Sequence, residues 1–266
     1  MNKPMPVTIK SSKEIELMRE AGRILASVHQ MLGKEIRQGM STMDIDRLGE
    51  EMIRSHGCEP SFKNYNGYPA SVCVSVNEEV VHGIPSEERI IQEGDIVSLD
   101  VGVNYKGYHS DAARTVAVGA VTEEARLLID RTRQCFFEGM KQAVAGHHLY
   151  DISRAIGTYA ESFGYGVVRD LCGHGIGSHL HEEPAVPNYR KVLKGIRLQA
   201  GMTLAVEPMI NIGTWRVLWM DNQWTVVTAD QSLSAHYENT ILITEGKPEI
   251  LSLTEEEKEQ GFLDFF

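Results

Sequence analysis

Cysteine is scarce in this 266-residue chain: Cys58, Cys73, Cys135 and Cys172 are the whole set, with no C-x-x-C pair among them. That excludes a disulfide framework and is consistent with small buried thiols in a reducing compartment. Long apolar runs are also missing. Nothing reaches the 18 residues a membrane-spanning helix needs, and the opening MNKPMPVTIK lacks the apolar core of an export signal. The expected location is the cytoplasm, with no membrane contact. Positive charge is short, 26 Lys and Arg against 37 Asp and Glu, for a net charge of −11. A generic nucleic-acid surface needs clustered cations, so specific nucleic-acid binding is not expected. No Pro-, Gly- or Ser-rich linker interrupts the chain. Its length and 42% hydrophobic content suit one domain over residues 1–266 with ample core.

What is present is an internal repeat. IQEGDIVSLD (91–100) aligns with LQAGMTLAVE (198–207), and at the same offset of 107 GMSTMDIDR (39–47) aligns with GHHLYDISR (146–154). Ser55 and Gly57 fall over Ser162 and Gly164. The repeat predicts two halves, about 10–120 and 121–251, followed by a tail at 252–266. Each half reads as two helices and then strands. In the first, Ile15, Met18, Ala21, Leu25, Val28 and Leu32 recur at helical spacing after a Ser11-x-x-Glu14 capping signal, and Gly57 ends the second helix. In the second, TEEARLLIDRTRQCFFEGMKQAV and LYDISRAIGTYAESFG precede the strands TLAVEPMINI, WTVVT and YENTILIT. Helices followed by antiparallel strands, twice over, predict an α+β fold around a pseudo-twofold core.

Acids sit where strands disfavour them. LDVGVNYKGYHSDAARTV (99–116) reads as a hairpin turning at Lys106-Gly107. That turn opposes Asp100 to Ala113 and Asp111 to Gly102. The two aspartates become diagonal neighbours on one face, about 7–8 Å apart between Cα atoms. The repeat places Glu207 at the position of Asp100, and local context matches Asp111 with Glu238. Four converging carboxylates would repel one another unless divalent metal ions join them. His174, cradled by glycines in CGHGIG, is a fifth candidate ligand. The same segment is a poor phosphate loop, because no helix opens after it.

These residues, in the contexts LDVG, HSD, CGHGIG, VEPM and SAHYENT, resemble type I methionine aminopeptidases from about residue 8 to 251. The five-ligand pattern is shared by the wider pita-bread metallopeptidase family, which includes proline-specific aminopeptidases and prolidases. NYNGYPASVCVSVNEEVVHGIP and CGHGIG…HEEP are more similar to the methionine enzymes. The extra N-terminal domain usual in the proline-specific relatives has no room here. The resemblance implies a curved antiparallel sheet and two divalent ions (Co, Mn, Fe or Zn) held by Asp100, Asp111, His174, Glu207 and Glu238, with a water between them as nucleophile. It makes Glu207 the proton shuttle and has His82 and His181 contact the scissile amide. Tyr65, Tyr68, Cys73 and Trp224 would seat the methionine side chain, and Asn77 and Ser234 would lie at a monovalent-cation site. The implied substrate is the N-terminal methionine of peptides and nascent chains, taken by a monomer in transient contact with the ribosome. Four positions depart from the usual pattern: Phe62 for cysteine, Leu180 for phenylalanine, Gly102 for threonine and Ser110 for glycine. The alternatives are an X-Pro aminopeptidase or dipeptidase and a non-enzymatic binding protein on the same fold.

Overall fold

The computed structural model describes residues 6–260. Helix α1 (Ser12–Glu35) starts at a capping box: the Ser11 side chain accepts from the Glu14 amide and the Glu14 carboxylate accepts from the Ser11 amide. Its Met18, Ala21, Leu25, Val28 and Leu32 are buried, as the spacing predicts. Helix α2 (Thr42–Ser55) is followed by Gly57 at φ +70°, a left-handed conformation glycine adopts without steric cost. The second half repeats the pair as α3 (Glu123–Met140) and α4 (Leu149–Glu161).

A nine-stranded sheet takes strands from both halves. Its principal members are β1 (Val72–Val76), β2 (Ile96–Tyr105), β3 (Tyr108–Ala117), β4 (Gly173–Gly175), β5 (Glu182–Val186), β6 (Thr203–Val206) and β7 (Glu238–Leu242). β1 pairs with β2, and the sheet continues β2-β3-β7-β6-β4-β5. The hairpin turns where the sequence predicts: Tyr105 pairs with Tyr108, Asp100 with Ala113 and Gly102 with Asp111. Alternation then sorts the faces. Val97, Leu99, Val101 and Ala112 point to α1 and share a core with Leu25, Val28 and Leu32, while Asp100 and Asp111 point the other way. Two three-stranded sheets flank this one. One joins Glu79–Val81, Val217–Trp219 and Val226–Thr228; the other joins Gly166–Val167, Met209–Asn211 and Ser234–His236.

Two expectations need correction. TLAVEPMINI is not one strand. Pro208 has no amide hydrogen to extend the ladder, so β6 stops at Val206, Glu207 lies between strands, and Met209–Asn211 enters another sheet. The match of Asp111 to Glu238 also fails. β3 and β7 pair at Ala113–Glu238 and Ala112–Asn239, and a threonine hydroxyl bridges the strands on either side. Thr240 Oγ1 accepts from Asp111 N and donates to Asp111 O; Thr115 Oγ1 accepts from His236 N and donates to His236 O. The pseudo-twofold axis therefore relates Thr115 to Thr240, Ala113 to Glu238, and Asp111 to His236.

The last element among the described residues is α5 (Glu255–Glu259). Residues 261–266 of the tail lie outside the described residues.

Candidate active site

Two neighbouring rows of the sheet build the site. Cys73, Asp100, Ala113 and Glu238 stand side by side in one row on β1, β2, β3 and β7. The next row on the same face runs from Gly102 and Asp111 across Thr240 and Ala205 to His174 on β4. The small residues between the acids leave their carboxylates facing open space. Glu207 reaches in from the break after β6, its carbonyl held by the buried Asn188 carboxamide at 2.9 Å. One ligand atom each from Asp111, His174 and Glu238 lies within 4.8 Å of the others. His174 Nε2 is 3.8 Å from Asp111 Oδ2 and 3.7 Å from Glu207 Oε1. His174 Nδ1 donates to the Gly175 carbonyl at 2.9 Å, which turns the bare Nε2 lone pair toward the carboxylates. Asp100, Asp111, His174, Glu207 and Glu238 therefore all face one cavity, Glu238 at a register other than the one local context predicts.

The electrostatics are those of an anion cluster out of water. Burial pushes Asp100 up to about 7. Burial, reinforced by the neighbouring carboxylates, raises Asp111, Glu207 and Glu238 well above the ordinary range. Among the described residues no Lys or Arg lines the cavity they floor. Arg114 lies close by but gives its guanidinium to the Glu238 carbonyl on the far side of the strand. Asp100 Oδ1, Asp111 Oδ1 and Glu238 Oε1 are buried without a hydrogen-bond partner among the described residues. Buried oxygens of this kind call for an unseen partner, and an oxygen-rich set with one imidazole fits a divalent cation.

The cavity above them holds about 240 Å³. Tyr65, Tyr68, Cys73, His82, His181 and Trp224 all line it, with Phe62 and Leu180. Tyr68 and Trp224 meet edge to face at 5.2 Å, and the Tyr68 hydroxyl donates to the Gly83 carbonyl at 2.8 Å. His181 stacks on Tyr65 at 5.2 Å, lies 4.1 Å from the His174 ring, and shares a 2.8 Å hydrogen bond between Nδ1 and the Tyr65 hydroxyl. His82 enters from a backbone at φ +59°, unusual for a bulky residue and common at functional positions. Burial lowers the His82 imidazole to about 4 and lowers His181 too, so both rings are neutral near pH 7. Asn77 and Ser234 are adjacent, Ser234 N donating to the Asn77 carbonyl at 2.9 Å. The Asn77 carboxamide is engaged by Asp95 and the Ile96 amide.

The departures at 62 and 102 are one coupled change. A Cβ at Gly102 would lie 2.7 Å from Phe62 Cε1 and 2.7 Å from Ser61 Cβ. The phenyl ring occupies the space a larger residue at 102 would need. The hydroxyl a threonine there would offer the aspartates is absent, in keeping with their unpartnered oxygens. Ser110 Oγ is also buried without a partner. Sequence reasoning missed His236, whose Nε2 lies 3.7 Å from Glu207 Oε2 and 4.0 Å from Glu238 Oε2. The signal was available in the two-residue spacing of 236 and 238, since alternate residues of an extended segment point the same way.

Comparison with known proteins gives one direction. The pattern of metallopeptidase family M24 matches residues 16–245. A methionine aminopeptidase of Clostridium acetobutylicum is 53% identical over 249 residues, covering 94% of this chain and 100% of that protein. The crystal structure of a methionine aminopeptidase from Thermotoga maritima superposes with a TM-score of 0.91 at 44% identity, covering 93% of this chain and 100% of that one. A prolidase from Pyrococcus furiosus shares the fold at a TM-score of 0.72 and 26% identity, with 93% of this chain matched to 66% of that one.

Proposed function

The chain belongs to metallopeptidase family M24, and from that premise we infer that it is a metal-dependent aminopeptidase removing the N-terminal methionine of peptides. The observation that carries this reading is the meeting of Asp100, Asp111, His174, Glu207 and Glu238 on the floor of a cavity with a soft aromatic wall. Two divalent ions (Co, Mn, Fe or Zn) held by these five side chains would supply Lewis acidity and a nucleophilic water near neutral pH.

The chain's own groups do the rest. Glu207 takes the proton of the attacking water at its carboxylate and returns it to the leaving amine, the role that a carboxylate facing both the ions and the substrate cavity is placed to serve. His82 and His181, neutral through burial, donate N–H to the scissile amide as its oxygen gains charge. With the Tyr65 hydroxyl donating to Nδ1, His181 presents its proton at Nε2. Tyr65, Tyr68, Cys73 and Trp224 supply a polarizable, apolar seat for the thioether. A cavity of about 240 Å³ takes one side chain, and the carboxylates beside it read the free α-amine, which confines cleavage to the first residue.

We further propose that the chain works as a single catalytic domain and as a monomer. Methionine opens every newly made chain, which supports a cytoplasmic location and a transient contact with the ribosome. Co-sedimentation with ribosomes tests that contact. A monovalent cation beside Asn77 and Ser234 would be held through main-chain carbonyls, since the Asn77 carboxamide is engaged. Potassium, set against choline, should then raise the melting temperature.

The deciding assay compares Met-Ala-Ser with Ala-Pro-Ala and Ala-Pro, with added metal and with EDTA. Release of methionine that EDTA abolishes and metal restores is expected. Cleavage of the proline substrates alone, or full activity without metal, would overturn the reading.

A further inference from the structure

His236 is 1% exposed, and among the described residues neither of its ring nitrogens has a hydrogen-bond partner. An imidazole buried with both nitrogens idle carries an uncompensated desolvation cost, so its retention calls for a role. The ring faces two of the carboxylates described above. Nε2 is 3.7 Å from Glu207 Oε2 and 4.0 Å from Glu238 Oε2, just beyond hydrogen-bond length from both. Glu238 Oε1 has no partner of its own.

Its backbone is as firmly fixed as that of a ligand. Thr115 Oγ1 accepts from His236 N at 2.8 Å and donates to His236 O at 3.0 Å. Thr240 does the same for Asp111, at 2.8 and 2.9 Å. Among the described residues only Asp111 and His236 receive this bridge, one at each end of the β3–β7 pairing. The fold thus builds one kind of socket twice and fills it with an acid in the first half and an imidazole in the second. The second half keeps its own acid two residues on, at Glu238, the first residue of β7, whose carboxylate comes within 4.0 Å of the His236 ring.

We propose that His236 is a positioning residue of the metal centre, its Nε2–H steadying the carboxylates of Glu207 and Glu238 so that they are preset for the ions. This rests on the reading that Glu207 and Glu238 are metal ligands. A donor behind a ligating carboxylate fixes its orientation, and losing such a partner commonly costs about 10–100-fold in metal affinity or activity. His236 touches no substrate in this scheme and acts through the two glutamates.

The test is calorimetric titration of Mn(II) into the metal-free wild type, His236→Leu and His236→Gln, with metal-free melting temperatures and steady-state kinetics on Met-Ala-Ser. Leucine removes the donor with little change of bulk; glutamine keeps an N–H at similar reach. The leucine variant should bind Mn(II) at least tenfold more weakly, lose kcat more than it changes KM, and melt no lower than wild type without metal. The glutamine variant should stay within about threefold of wild type in affinity. If the leucine variant does not fold, His236→Asn takes its place, because its shorter amide cannot reach the glutamates and should show the same loss. A leucine variant that binds like wild type, or a glutamine variant no better than leucine, overturns the positioning role alone. Absence of Mn(II) binding by the wild type overturns it together with the metallopeptidase reading.

Discussion

At the scale of single residues, the site trades stability for function. Asp111 is buried among like charges with one oxygen unpartnered. Replacing it with asparagine should raise the melting temperature of the metal-free protein and weaken divalent-metal binding, which thermal melts with and without Mn(II) would resolve. Unchanged metal stoichiometry and activity would contradict its role as a ligand. Glu207→Gln keeps shape and burial but removes the proton acceptor. The fold should survive while kcat drops by about 10²–10⁴, and a near-normal kcat would remove Glu207 as the shuttle. Gly102 and Phe62 form a second kind of pair, joined by volume. Gly102→Ala should cost about 1–3 kcal/mol in urea unfolding, the usual range for overpacking, and Phe62→Cys in the same chain should recover part of it. Purely additive losses would show that the contact is not what excludes a side chain at 102.

Among the secondary-structure elements, the five-residue helix α5 is too short to be stable alone. Arg114, on the back of β3, holds it in place. The guanidinium donates to Glu257 Oε1 at 2.6 Å and Oε2 at 2.9 Å, to Asn239 Oδ1 at 2.8 Å and to the Glu238 carbonyl at 2.5 Å. One buried cation thus links α5 to the strand that carries a predicted metal ligand. Glu257→Ala leaves that cation buried and unpaired, and a loss of about 3–5 kcal/mol is expected in urea unfolding. A loss below about 1 kcal/mol would mean that water or another acid takes over the pairing.

Across the whole molecule, the rear of the sheet adds a pH response separate from the site. His29 on α1 is fully buried, its Nε2–H donating to the Ala112 carbonyl at 2.8 Å and its Nδ1 unpartnered. Burial depresses the ring to about 3 from its ordinary 6.5. The unfolded chain therefore takes up this proton at a higher pH than the folded one. Stability from the neutral ring is fully present above pH 6.5 and lost as pH falls toward about 3, on the order of a few kcal/mol at the acid end. His29→Gln keeps a donor for Ala112 and cannot titrate. Its unfolding free energy should fall less steeply than that of wild type between pH 6.5 and 4. Parallel pH profiles would assign acid sensitivity to other buried groups.

The sequence by itself determined the local architecture and most of the side chains that meet at the site, His236 excepted. Capping at Ser11, helical spacing along α1, the hairpin register at Lys106-Gly107 and the face shared by Asp100 and Asp111 all follow from chemistry within a few residues. The repeat then pointed to Glu207, and the family resemblance supplied the roles. Only the tertiary structure decided what depends on contacts between distant segments. Pro208 breaks a run that reads as continuous strand, because where a ladder ends depends on the partner strand as well as on propensity. The match of Asp111 to His236 emerged only once β3 paired with β7, since the two halves carry different numbers of residues between their carboxylates. The exclusion that Phe62 imposes on Gly102 joins segments 40 positions apart. Sequence patterns record which face a side chain takes; which distant side chains then share that face is fixed by packing across the whole sheet.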